Sequence, residues 1–337
     1  MTKSLVSGHS WVLVRNPRFR EWSPQAQPGG YPDRIVVRYD VPPGQAVADL
    51  EGGRADALLS PPPASLGQLA TRYTSQLHSG PVVATFALTL NTRIPPFNSL
   101  DARRALNYAI DRKTMIALAG GPLTAQPTCQ ILPPTMPGYQ PYCPYSLHPT
   151  PNGAWTAPDL ARARQLVRAS GTRGDPVTVN LGSLPSEFPD PATARHVASV
   201  LDRLGYRATV RPVRGNGNSA TQADPRNRVQ IGYLTWFEDF PAPWDFIGPL
   251  LTCAGNTNWA EFCNRGIDAQ VQRALTLQAR GLAAAERSWA TIDHELTDQA
   301  PWVPLYTPRH LTVLSAHVGN YQFHPLWNLL LDQLWVR

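Results

Sequence analysis

Four cysteines stand in two close pairs, Cys129 with Cys143 and Cys253 with Cys263. Thiols ligate metals, carry redox chemistry or close loops, and their spacing separates these uses. Neither pair has the Cys-x-x-Cys spacing of a zinc site or redox motif, and no histidine lies within either loop to complete a metal shell. Two local disulfides are the economical reading and imply an oxidising compartment; four free thiols are the alternative. His294-Glu295 begins a zinc-protease pattern, but Asp298 stands where the second histidine is needed, so that clamp fails. No Gly-x-Ser-x-Gly elbow and no phosphate-cradling Gly-x-x-x-x-Gly-Lys loop occurs, and nothing points to the paired carboxylates of a glycosidase. The Gly215-Asn216-Gly217-Asn218-Ser219 run lacks the strand–turn–helix setting of a nucleotide site. The other concentration of useful side chains is Trp236 to Trp244. Its Phe237, Phe240 and Trp244 make the segment unusually aromatic, which suits an amphipathic or apolar ligand. From these residues no enzyme, cofactor or metal is expected.

The chain has 337 residues, 42% hydrophobic and 16% charged, so it is globular and long enough for two domains with a sizeable core. Its net charge is +6, with lysine only at Lys3 and Lys113 and arginine spread without a dense run. Nucleic-acid binding needs a basic stripe, and no such partner is expected. No apolar run approaches the roughly 18 residues of a membrane span. The first residues show no apolar signal core and no lipid-attachment cysteine. Read literally, that start means the cytoplasm, and the cysteine pairs oppose it.

The elements that must position these groups alternate. Residues 11–15, 34–39, 57–59 and 82–91 read as strands, and residues 45–52 as a short helix with Gly53 as its cap. A helix is predicted over about 100–119 from the stripe Ala102, Leu106, Ala109, Ile110 and Met115, with Asn98 or Ser99 as cap and Gly120-Gly121-Pro122 as stop. A proline-rich loop follows over about 122–157, and the first cysteine pair would tie it down. Pro158 at a first helical position and Gly171 beyond the end bracket a helix. Residues 176–181 and 206–213 are strands around a helix opened by Asp190-Pro191 and ended near Gly205, an order that favours a parallel crossover. Residues 214–226 read as a polar loop and 229–234 as a strand. Helices over 264–279 and 282–298 and strands over 303–306 and 311–314 close the chain.

Several segments, in order, resemble the peptide- and nickel-type extracellular solute-binding proteins of ABC importers, family 5. They are Arg15-Asn16-Pro17-Arg18-Phe19; Leu50-Glu51-Gly52-Gly53-Arg54-Ala55-Asp56; and Leu90-Asn91-Thr92 with Pro95-Pro96-Phe97 and Arg103 to Arg112. Trp236 to Pro243 and Ala300-Pro301-Trp302-Val303-Pro304-Leu305-Tyr306 complete the series. The resemblance implies an α/β fold of the periplasmic-binding-protein type II. Residues 1–85 would be part of lobe one, 86–300 lobe two, and 301–337 the return strands to lobe one, with ligand bound in a cleft between lobes. Lobe one is expected to be incomplete, because family members carry a signal and further segments before anything matching Arg15.

The function so implied is the extracellular or cell-surface receptor of an ABC importer, with a peptide or related small solute and the permease subunits as partners. Any membrane tie would run through the permease or an anchor in a missing front segment. The alternatives are a ligand-sensing domain of a larger regulatory protein and a truncated remnant that binds nothing. By the same resemblance Asp239 pairs with the α-ammonium group of a ligand and Trp236 walls the pocket, with Phe237, Phe240 and Trp244 beside them. The plain readings are a loop carboxylate capping its own backbone and a core tryptophan. Ala242 departs from the acidic or polar residue common in the family at that place. Asn91 and Arg104 read as architecture, and Arg104 and Asp111, seven apart on one helix, would share a face.

Overall fold

The computed structural model describes residues 2–6, 10–25, 29–181, 189–213 and 217–337. The chain divides into two compact units, Met1–Val82 with Arg309–Arg337, and Val83–Pro308.

The Val83–Pro308 unit is built on a mixed sheet with a core on each face. The strand Ala84–Leu90 pairs antiparallel with Ile231–Phe237, from Ile231 opposite Leu90 to Phe237 opposite Ala84. On its other side it pairs antiparallel with residues Trp302 to Tyr306 of the strand Trp302–Leu314. Ile231–Phe237 also pairs parallel with Pro176–Leu181, which is parallel in turn to Arg207–Pro212. Alternation at period two sends successive side chains to opposite cores. Leu88, Leu90, Ile231 and Tyr233 enter one, while Ala87, Leu234 and, in part, Trp236 enter the other. A slip of one residue would exchange the two sets, so the register is strongly specified.

The first core is closed by the helices Leu100–Ala109, Arg112–Leu118, Leu160–Ala169 and Pro191–Leu204. The expected single helix over 100–119 is broken. Ile110 adopts ψ 122°, and the Asp111 carboxylate accepts from the backbone N–H groups of Lys113 and Thr114 as cap of the second helix. Asp111 is therefore not on the Arg104 helix, and the shared face expected for that pair does not exist. Arg104 instead donates to the Asp298 carbonyl at 3.1 and 3.0 Å. Asp190 caps Pro191–Leu204 through the N–H groups of Ala192 and Thr193, and Gly205 at φ 98° ends it, as a residue without Cβ does cheaply. Pro158 does not take the first helical position expected for it: Asp159 is the cap of Leu160–Ala169, and Pro158 stands before that cap. The expected loop over 214–226 contains the helix Gly217–Ala223, with residues 214–216 outside the described set.

The second core is closed by Trp244–Leu251, Arg265–Gln278 and Leu282–Gln299, together with Ile131, Leu132 and Met136 of the proline-rich segment. That segment has little backbone pairing of its own, and one face of Leu282–Gln299 supplies what it lacks. Asp293, fully buried, accepts from the N–H groups of Ile131 at 2.9 Å and Leu132 at 3.3 Å and from the Gln130 amide at 2.6 Å. One turn on, the Tyr142 hydroxyl donates to Asp298 at 2.7 Å and the Tyr145 hydroxyl to the Thr297 carbonyl at 3.1 Å. The His294 ring is hydrogen-bonded to the Gln140 carbonyl at 2.9 Å and stacked on Tyr142. Cys129 is bonded to Cys143 within the same segment, and Cys253 to Cys263 after Trp244–Leu251.

In the other unit, Thr2–Val6, Ser10–Val14 and Arg34–Arg38 form an antiparallel sheet. The residues of Trp302–Leu314 from Arg309 onward pair with Leu77–Pro81 and Ala57–Leu59. Val47, Leu50, Leu58, Leu69 and Val313 make a small core there. Gly53, at φ 67°, turns the Leu50 to Asp56 segment, and Arg54 returns to Asp49 at 2.9 Å. No helix among the described residues is long and apolar enough to cross a membrane.

Burial raises the Asp293 pKa to about 6, with the Gln130 and backbone donors offsetting part of the cost of its charge. Its unfolded value is near 3.9. The raised pKa makes this site's contribution greatest below about pH 4 and lost as pH rises through about 6. Asp293→Asn keeps an acceptor and cannot ionise. The variant should therefore gain on the wild type by about 2 kcal/mol between pH 4.5 and 7, measured by denaturant unfolding at several pH values; a constant difference would refute it. Removing one bridge by Cys129→Ser with Cys143→Ser, which opens a 14-residue separation, should cost about 2–3 kcal/mol in the same assay.

Candidate functional site

The aromatic segment singled out in the sequence is the end of the strand Ile231–Phe237, a turn, and the start of the helix Trp244–Leu251. Strand alternation sets the first two side chains apart. Trp236 packs partly into the second core. Phe237 goes to the other face, where it meets Phe86 edge-on at 5.8 Å, and Phe86 stacks on Tyr306 at 5.0 Å. The Glu238 N–H donates to the Val83 carbonyl at 2.9 Å, the last backbone tie before the turn. Pro241 and Pro243 then stiffen the entry to the helix, whose cap is Pro243 at φ −57°.

The turn is organised by a residue that sequence reasoning did not select. Asp245, in the first turn of the helix, is 2% exposed. One of its carboxylate oxygens accepts both the Trp236 indole N–H at 3.2 Å and the Asp239 backbone N–H at 3.0 Å. Burial raises its pKa, and the Asp239 and Trp236 donors and the neighbouring Asp239 charge act as smaller influences. Burial also raises Glu238, with the charge of Asp245 adding to it. An acidic residue just inside a helix start was the available signal. What it could not disclose was that a strand end lies within reach of the same carboxylate.

Asp239 itself is exposed, and among the described residues its carboxylate meets no hydrogen-bond donor. The backbone-capping alternative for Asp239 is thus filled by Asp245. Phe237 and Phe240 are 52% and 43% exposed. Trp244 is half-buried and belongs to the packing around the second core. Its indole crosses Gly248, where any Cβ would come within 2.4 Å of the ring. The structure therefore brings Trp236 and Asp239 together on Asp245, leaves Phe237 and Phe240 facing solvent in part, and gives Trp244 a packing position. Beyond the helix, the Cys253 to Cys263 loop is held by the Asn258 amide on the carbonyls of Thr252 at 3.0 Å and Phe262 at 2.6 Å.

An exposed carboxylate can accept hydrogen bonds from a cation, and the partly exposed rings of Phe237 and Phe240 lie close to Asp239 in sequence. Among the described residues no group of three or more His, Cys, Asp or Glu could hold a metal ion. Asn91, at the far end of Ala84–Leu90, donates to Glu261 at 2.7 Å and accepts from the Arg93 N–H at 2.9 Å, both architectural bonds.

Comparison with known proteins places these features in a wider group. The chain is 26% identical over 303 residues to di/tripeptide-binding protein 4 of Pseudomonas aeruginosa, covering 88% of this chain and 54% of the relative. It is 28% identical over 314 residues to heme-binding protein A of Haemophilus influenzae, covering 87% and 52%. The chain thus spans about half the length of these curated relatives. Among solved structures, a clavulanic acid biosynthesis oligopeptide binding protein 2 matches with TM-score 0.81 at 22% identity, over 100% of this chain and 62% of that one. A dipeptide binding protein from Pseudoalteromonas sp. SM9913, in complex with Met-Leu, matches with TM-score 0.71 at 20% identity, over 100% and 64%. The fold is the type II periplasmic-binding-protein fold expected from the sequence. Residues 1–258 match the family model of bacterial extracellular solute-binding proteins, family 5, middle region, and the chain belongs to that family.

Proposed function

We propose that this chain supplies ligand-binding surface to an extracellular solute receptor of an ABC importer, and that the solute is a peptide or related molecule with a free amino group. The observation that carries the reading is the Asp239 carboxylate. It is exposed, without a donor among the described residues, and set on a turn that Asp245 fixes from beneath. Phe237 and Phe240 expose apolar surface next to it in sequence. An ammonium group of a ligand brings N–H donors and a charge to such a carboxylate, and aromatic surface accepts an apolar side chain. Relatives named as di/tripeptide-binding proteins support the peptide class. On this reading Val83–Pro308 is the ligand-binding lobe, Trp236 and Trp244 are its packed aromatic support, and the chain performs no chemistry on what it binds. Delivery to a permease and an extracellular or cell-surface place follow from the same family reading.

Calorimetric titration with a panel of di- and tripeptides, and with hemin as a separate arm, tests it. Asp239→Asn should weaken a free-amine peptide by about tenfold or more, the scale of one charge-assisted contact. Equal affinity of the variant and the wild type for such a peptide would remove the reading. Tight hemin binding with no response to any peptide would move the ligand class to tetrapyrroles.

A further inference from the structure

We infer that Asp245 is a positioning residue of this site: its acceptor oxygen, not its charge, holds the Asp239 turn in the form that meets a ligand cation. The inference rests on the reading of Asp239 as the ligand contact and adds a residue that never touches the ligand. Three observations carry it. Asp245 is almost completely buried, so it is out of a solute's reach. A single oxygen, Oδ2, receives both the Trp236 indole N–H and the Asp239 backbone N–H. These donors come from the strand end and the turn, while the acceptor sits in the first turn of the following helix. One atom therefore joins the three local pieces.

The backbone of Asp239 has no other described anchor on its N–H. The Glu238 N–H before it is tied to Val83, and the Ala242 N–H after it to the Phe240 carbonyl at 2.7 Å. Without the Asp245 oxygen, the residue that carries the free carboxylate would be held only through its neighbours. Positioning binding groups before the ligand arrives lowers the ordering cost of binding. Electrostatics favours an acceptor role over a charge role. The charged groups that act on Asp245 are the carboxylates of Asp239 and Glu238, so a negative charge there is opposed by both as well as by burial. A neutral carbonyl oxygen in the same place also accepts both N–H donors.

Asparagine places a carbonyl oxygen where Oδ2 lies, whereas glutamate keeps the charge and moves the oxygen by one methylene. The test is titration of wild type, Asp245→Asn, Asp245→Glu, Asp245→Ala and Asp239→Asn with one free-amine peptide and its N-acetylated form, with circular dichroism and Tm recorded for each. Asp245→Asn should stay within about threefold of wild type, and Asp245→Ala and Asp245→Glu should each lose about tenfold or more for the free-amine peptide, the scale of two hydrogen bonds. The N-acetylated peptide, which lacks the cation, should not distinguish the variants, and Asp245→Ala should cost nothing further in an Asp239→Asn background. If Asp245→Ala does not fold, the Asn and Glu variants decide. Equal affinity of those two, or wild-type affinity in Asp245→Ala, overturns the inference while a loss in Asp239→Asn leaves the ligand reading standing. No loss in Asp239→Asn overturns that reading first, and the inference with it.

Discussion

A carboxylate withdrawn from water must be met by donors, and this requirement holds the irregular parts of the Val83–Pro308 unit in place. Helices and strands satisfy their own backbones, but a proline-rich segment and a strand-to-helix turn do not. Asp293 receives two backbone N–H groups and an amide of the first, and Asp245 receives one backbone N–H and an indole of the second. Each stands on a helix that packs into the second core, so the packing of that core fixes where the acceptors lie. The cost is visible in the raised pKa of both groups, which burial causes. Buried arginine serves carbonyls in the same manner: Arg112, fully buried, donates to the carbonyls of Thr128 at 2.8 Å and Pro304 at 2.9 Å.

The sheet decides which residues of the candidate site can act together. Ile231–Phe237 is paired along both edges, and its first four residues are buried between the two cores. Only at its end does the covering stop, and there Phe237 and the turn after it reach solvent. Family likeness and geometry meet at this point: Trp236 to Pro243, one of the segments that resemble the family, begins where the strand Ile231–Phe237 reaches solvent.

Much of this was legible in the residues. The helix opened by Asp190 and closed by Gly205 was readable because cap and stop are local chemistry, complete within one turn. The two disulfides were readable because each joins cysteines close in sequence. The type II fold was readable from several short segments in the right order, which periodicity alone does not supply. The break at Ile110 was hidden because Asp111 sits inside an apolar stripe that continues across it at helical spacing. The helix Trp244–Leu251 was hidden by its aromatic residues and by Pro249 within it. Asp245 was out of reach for a different reason. Its partners are nearby in sequence, yet the contact exists only once the strand has ended and the chain has turned back, and neither event shows in residue type. The same holds for Asp293, whose partners lie more than 160 residues away.

That last separation has a consequence for how the molecule is made. The chain emerges from the ribosome with residue 131 long before residue 293, and a contact of such span forms late because its loop must close first. The Cys129 to Cys143 bridge spans only 14 residues and needs no distant partner. In an oxidising compartment the proline-rich segment can thus be covalently closed before its buried acceptor docks. The bridge limits the shapes open to the segment, and its seat in the folded protein is the helix Leu282–Gln299.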